Sequence, residues 1–68
     1  MTGDELKQAL LNEKPVLLSQ TDGQESEYAC VSAIVYRKQG DKISVTAELL
    51  DKNKNSVNYC DPKRVRYK

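Results

Sequence analysis

Tyr28-Ala29-Cys30-Val31-Ser32-Ala33-Ile34-Val35-Tyr36-Arg37 and Ile43-Ser44-Val45-Thr46-Ala47-Glu48-Leu49-Leu50 decide how this chain folds. Both stretches alternate at the period of an extended strand. In the first, Ala29, Val31, Ala33 and Val35 share one face, and Tyr28, Cys30, Ser32, Ile34 and Tyr36 share the other. In the second, Ile43, Val45, Ala47 and Leu49 oppose Ser44, Thr46, Glu48 and Leu50. A three-residue turn, Lys38-Gln39-Gly40, joins them with glycine in the left-handed position. That register sets Val35, Ala33, Val31 and Ala29 against Ile43, Val45, Ala47 and Leu49, an apolar pair at every step. A two-residue turn at Gly40-Asp41 is the competitor, and it pairs Tyr36 with Val45 and Ile34 with Ala47.

The pattern continues past Leu50. A second three-residue loop, Lys52-Asn53-Lys54, places Val57 opposite Leu49 and Tyr59 opposite Ala47, so that Tyr59 joins the core. Lys54 is the weak point, because the loop needs positive φ there and glycine would supply it more cheaply. Asp61-Pro62-Lys63-Arg64 reads as one tight turn before a last strand, Val65-Arg66-Tyr67.

Upstream, Thr2-Gly3-Asp4-Glu5 carries the signature of a helix start: Thr2 caps and Glu5 reaches back. Leu6, Ala9 and Leu10 recur at helical spacing, and Leu11 widens the stripe. Lys14-Pro15 ends the helix. About ten residues are too few to be helical alone in water, so the stripe must dock. Leu6 and Leu10 are expected to cover the face of Tyr28, Ile34, Tyr36 and Leu50. Val16-Leu17-Leu18-Ser19 is a short strand, and Gln20 to Ser26 is a polar loop turning at Asp22-Gly23.

The expected fold is mainly β (α+β): a single domain over residues 1–68, with a helix in 1–14 and a five-stranded antiparallel sheet in 15–68. Strand count, loop sizes and the Asp61-Pro62-Lys63-Arg64 turn resemble the layout of a Src-homology-3-like barrel, closed or opened into a strongly bent sheet. The segments Val31-Ser32-Ala33-Ile34-Val35-Tyr36-Arg37-Lys38 and Ala47-Glu48-Leu49-Leu50-Asp51-Lys52-Asn53, with Val57 and Asp61-Pro62, also resemble short proteins carried by bacterial phages and other mobile elements. That resemblance implies a bacterial, cytoplasmic protein and carries over no functional residue.

Composition bounds the chemistry. Sixty-eight residues bury little surface, and the chain lacks tryptophan and phenylalanine, so self-association would supply missing burial. No apolar run approaches the ~20 residues of a membrane span, and Met1-Thr2-Gly3-Asp4-Glu5 lacks the features of a signal peptide. There is no histidine, which removes the commonest general base and metal ligand. Cys30 and Cys60 alone cannot hold zinc within one chain. In the favoured register they lie two strands apart, roughly 9–10 Å, too far for a disulfide. A reactive Cys60 would need Arg64 or Lys63 to depress its pKa. No catalytic residue, metal or cofactor is expected.

A binding module is what remains. The first candidate surface is Tyr28, Ile34, Tyr36 and Leu50, wherever the helix leaves them exposed to a protein partner or a second copy. The second uses charge. Net charge is only +1, yet residues 52–68 hold Lys52, Lys54, Lys63, Arg64, Arg66 and Lys68 against Asp61. Arg37, Lys38, Lys63, Arg64 and Arg66 are therefore the alternative site, for nucleic acid, with Tyr36 to stack on a base. Against it stands the ordinary fate of charges at turns, which is solvation.

Overall fold

The computed structural model describes residues 1–68. One helix, α1 (Gly3–Asn12), precedes six strands: β1 (Val16–Ser19), β2 (Glu25–Tyr28), β3 (Cys30–Gln39), β4 (Lys42–Leu50), β5 (Val57–Cys60) and β6 (Val65–Tyr67). A 3-10 turn, Pro62–Arg64, joins β5 to β6. The strands make two three-stranded antiparallel sheets, ordered β2-β1-β6 and β3-β4-β5. The expected five strands are thus six, and no closed barrel forms. The added strand is β2, drawn from the end of the polar loop, where Val16 to Ser19 pair with Tyr28 to Glu25. It passes into β3 across Ala29, whose N–H donates to the Leu50 carbonyl at 2.8 Å.

Helix α1 starts as its sequence dictates. The Thr2 hydroxyl accepts from the Glu5 amide at 3.2 Å, and the Glu5 carboxylate accepts from the Thr2 amide at 2.9 Å, so two otherwise unpaired helix-end donors are satisfied. Leu6 and Ala9, three residues apart, are buried. Leu10 stays exposed, so the expected cover by Leu6 and Leu10 does not form; Leu6 and Ala9 are the helix side chains that enter the core. The core is completed by Val16 and Leu18 of β1, Val31 of β3, Ala47 and Leu49 of β4 and Val65 of β6. The Met1 nitrogen donates to the carbonyls of Pro62 (2.6 Å) and Val65 (3.0 Å), tying the start of the helix to the last turn.

Both long-range registers differ from the favoured reading. Gln39 pairs with Lys42 across a two-residue Gly40-Asp41 turn, and Tyr36 pairs with Val45. Gly40 has φ +65, as the glycine at the first central position of a type II′ turn does. The competing turn therefore wins. The pairing then slips at a bulge: Val31 faces Leu49, Ala33 faces Glu48, and Ser32 is the extra residue. Its hydroxyl bonds the Glu48 carboxylate at 2.7 Å and the Glu48 carbonyl at 3.2 Å. Glu48 points to the face away from Ala47, as its alternation dictates, and its carboxylate is met there by Ser32.

The β4–β5 loop is one residue longer than expected. Asp51 N–H donates to the Ser56 carbonyl at 2.9 Å, and Val57 pairs with Leu50 and Tyr59 with Glu48. A one-residue slip moves every side chain of a strand to the other face. Val57 and Tyr59 accordingly leave the core, at 43% and 56% exposure. Of the ten side chains expected inside, Val31, Ala47 and Leu49 are buried; Ala29, Ala33 and Val35 are half-buried; Ile43, Val45, Val57 and Tyr59 are exposed.

Two stability outcomes follow from this packing. Leu6 is 1% exposed, so Leu6→Ala should cost about 2–5 kcal/mol, enough to leave much of so small a domain unfolded in a urea titration. A loss under about 1 kcal/mol would mean that the helix is not docked. Lys54 does adopt φ +60, and Lys54→Gly should raise the unfolding free energy by several tenths to about 1 kcal/mol; unchanged or lower stability would contradict the loop geometry.

Candidate functional site

Tyr28, Ile34, Tyr36 and Leu50 do not form one surface. Paired residues of a sheet share a face. Leu50 pairs with Cys30 and Val57, on the side away from Ala47. Ile34 and Tyr36 pair with Ala47 and Val45, on the core side. Ile34 packs half-buried against the core. Tyr28 does the same, and its hydroxyl accepts from the Asn58 side-chain amide at 2.8 Å. Only Tyr36 of the four is exposed. The bulge at Ser32 is why: one extra residue exchanges the faces of everything after it, and period-two reading cannot foresee that.

The bulge assembles a different surface. β5 covers β4 only from Ala47 to Leu50. Beyond that point β3 and β4 run on as a two-stranded ribbon, and residues 36–43 are all exposed. On its core-side face stand Tyr36 (57% exposed), Ile43 (71%) and Val45 (37%). Ile43 and Val45 also line a groove with Met1, Leu6, Pro62 and Lys63. Lys38 pairs with Ile43 on the same face. The result is an apolar strip with lysines at its margin. The exposed Ile43 was overlooked in the sequence because alternation alone assigns it to the core.

The basic residues divide as well. The Arg64 guanidinium donates to the Ser19 carbonyl at 2.9 Å. Arg66 makes a two-pronged contact with Glu25, at 2.6 and 2.7 Å. These two link the last turn and β6 to β1 and β2. Lys38 and Lys63 flank the apolar strip, whereas Arg37 pairs with Ser44 on the opposite face. Arg37, Lys38, Lys63, Arg64 and Arg66 therefore do not converge on one basic face.

The titratable groups show no catalytic arrangement. Cys30 and Cys60 are free thiols, opposite Leu50 and Ala47 respectively. Burial pushes the Cys60 thiol up, with Arg64 opposing, so the depressed pKa that reactivity requires is not produced. The Glu48 carboxylate beside Tyr59, as hydrogen-bond acceptor and as charge, pushes that phenol up. No three His, Cys, Asp or Glu side chains stand close enough together to hold a metal ion. A second, polar depression lies between Asn12, Lys14, Pro15, Tyr67 and Lys68, and is braced by an Asn12 to Tyr67 hydrogen bond of 3.0 Å. No helix is long and apolar enough to cross a membrane. No protein family, curated protein or solved structure matches the chain.

Three carboxylates sit below the ordinary value of 4.5: Glu25 through its hydrogen bond from Arg66, Glu27 through Lys68, and Glu5 through Thr2. A lowered folded pKa contributes stability above the unfolded value and loses it as pH falls through the folded one. The unfolding midpoint should therefore hold from neutrality to about pH 5 and decline below about 4.5. Glu25→Gln should make that decline shallower. A decline of equal steepness in the variant would show that the Glu25–Arg66 pair contributes nothing, as exposed pairs sometimes do.

Proposed function

We propose that this chain is a non-enzymatic protein-interaction module of the bacterial cytoplasm, built on a Src-homology-3-like arrangement of two small antiparallel sheets. Its contact surface is the ribbon face of Tyr36, Ile43 and Val45 with the adjoining Met1–Pro62 groove. One observation carries this reading: an isoleucine 71% exposed beside an exposed tyrosine and valine, on a ribbon that no other strand supports. Two-stranded ribbons are marginal by themselves, and clustered exposed apolar side chains mark contact sites. Lys38 and Lys63 at the rim favour a partner with acidic residues around an apolar centre.

A second reading rests on the ribbon tip. Arg37, Lys38 and Lys42 stand there outside every ion pair, and a two-stranded ribbon fits the major groove of DNA.

The test is retention of cell proteins on immobilised wild-type chain beside Ile43→Glu, after nuclease treatment. The proposal expects a partner held by wild type and lost by at least about tenfold in the variant, the scale of a central interface residue. Identical retention by both would overturn it. A duplex titration at two salt concentrations separates the second reading: binding that weakens steeply with salt and survives Ile43→Glu belongs to the basic tip.

A further inference from the structure

Strand β5 is an open edge, and its backbone says what fits it. In an antiparallel ladder a residue directs both its N–H and its C=O to the same neighbour, and successive residues alternate. The Leu50 carbonyl accepts from Ala29, so Leu50 and Glu48 address β3. Asp51 bonds Ser56, so Asp51, Leu49 and Ala47 address β5. Their opposite numbers, Ser56, Asn58 and Cys60, face inward. Val57 and Tyr59 therefore aim their N–H and C=O groups away from the sheet, toward solvent.

We infer that β5 pairs with β5 of a second copy, antiparallel, about a two-fold axis through Asn58. In this register Val57 meets Tyr59 of the other chain, and Tyr59 meets its Val57. Each outward N–H then finds an outward carbonyl, and none is left over. Val57 and Tyr59 lie on one face and are both exposed, so an aliphatic side chain stacks on an aromatic ring at either end of the contact, a favourable cross-strand pair. The two three-stranded sheets become one of six strands.

The occupant is a second copy because the edge is self-complementary and undefended. Natural edges carry Lys, Pro or a bulge against such pairing. Val57-Asn58-Tyr59-Cys60 has none of these, and a net charge of +1 sets little repulsion between copies. The other three edges are defended: β6 is three residues long, with Arg66 tied to Glu25; β2 carries Glu25 and Glu27, paired with Arg66 and Lys68; and β3 is broken by the bulge at Ser32 and carries Arg37 and Lys38. Two-fold pairing is also the commonest symmetry of small assemblies. A contact of four residues per chain falls short of the ~1,000 Å² of a stable complex, so the dimer is weak and concentration-dependent. It uses neither Tyr36 nor Ile43 and stands apart from the ribbon surface.

Sedimentation velocity and amide hydrogen exchange on the full chain under reducing conditions, from micromolar to millimolar loading, test it. The expected result is a monomer that becomes a dimer, with the Val57 and Tyr59 amides slowing as the dimer fraction rises. The Asn58 and Cys60 amides should be protected throughout. Tyr59→Lys, at a side chain already exposed, should weaken dimerisation at least about tenfold, while Ile43→Glu should leave it unchanged. A monomer at every loading, a dimer that leaves Val57 and Tyr59 exchanging freely, or a Tyr59→Lys variant that dimerises as well as wild type would overturn the inference.

Discussion

The extra residue at Ser32 sets which side chains β3 presents to each face over the far half of the β3–β4 hairpin. Without it, β3 would present Val31, Ala33 and Val35 to one side throughout. With it, Val31 and Ile34 both face the core, and Tyr36 follows onto the same side as Val45 and Ile43. The bulge is held by Ser32 bonding both the carboxylate and the carbonyl of Glu48. A hydroxyl suits this position, since an unpaired ladder residue needs local hydrogen bonding to remain in place. The place of Tyr36 beside Ile43 and Val45, and the turning of Arg37 to the opposite face, follow from that one insertion.

The second constraint is scarcity of apolar volume. Eight residues are buried, the largest of them Leu6, Leu49, Val16 and Val31. They hold the junction of helix, β1, β6 and the near half of the β3–β4 hairpin. Nothing remains to cover the far half. Glycine-led turning at Gly40 extends the hairpin past the point where β5 ends, so Tyr36, Ile43 and Val45 stand where no third strand pairs with the ribbon. A chain with so small a core leaves apolar surface outside, and the two places where it does so differ in kind: a side-chain strip on the ribbon, and a backbone edge at β5. The first suits an apolar partner rimmed with acids, the second another strand.

The helix and the final turn were legible because local chemistry sets them. Thr2 and Glu5 form the capping box that their spacing announces, and Asp61 caps the turn at Pro62. The positive φ expected at Lys54 is present, although the loop around it is one residue longer than expected. The existence of the long strands followed from the alternation of Tyr28 to Arg37 and of Ile43 to Leu50. Pairing did not, because a slip of one residue leaves the alternation of each strand intact while reversing which face meets which. Tyr59 illustrates this: a loop longer by Asn55 sends it from the expected core to solvent beside Glu48. The proposed sites inherited the same fault. Tyr28 and Ile34 went to the core margin, Leu50 to the opposite face, and Arg64 and Arg66 to structural contacts with Ser19 and Glu25.

Cross-strand proton contacts in a nuclear Overhauser spectrum test the central claim most directly. The bulged arrangement predicts contacts of Tyr36 with Val45, of Val31 with Leu49 and of Val57 with Leu50. Contacts of Val35 with Ile43 and of Val57 with Leu49 would instead mean an unbroken ladder, with Val35 in the place of Tyr36 beside Ile43 and with Tyr59 turned inward.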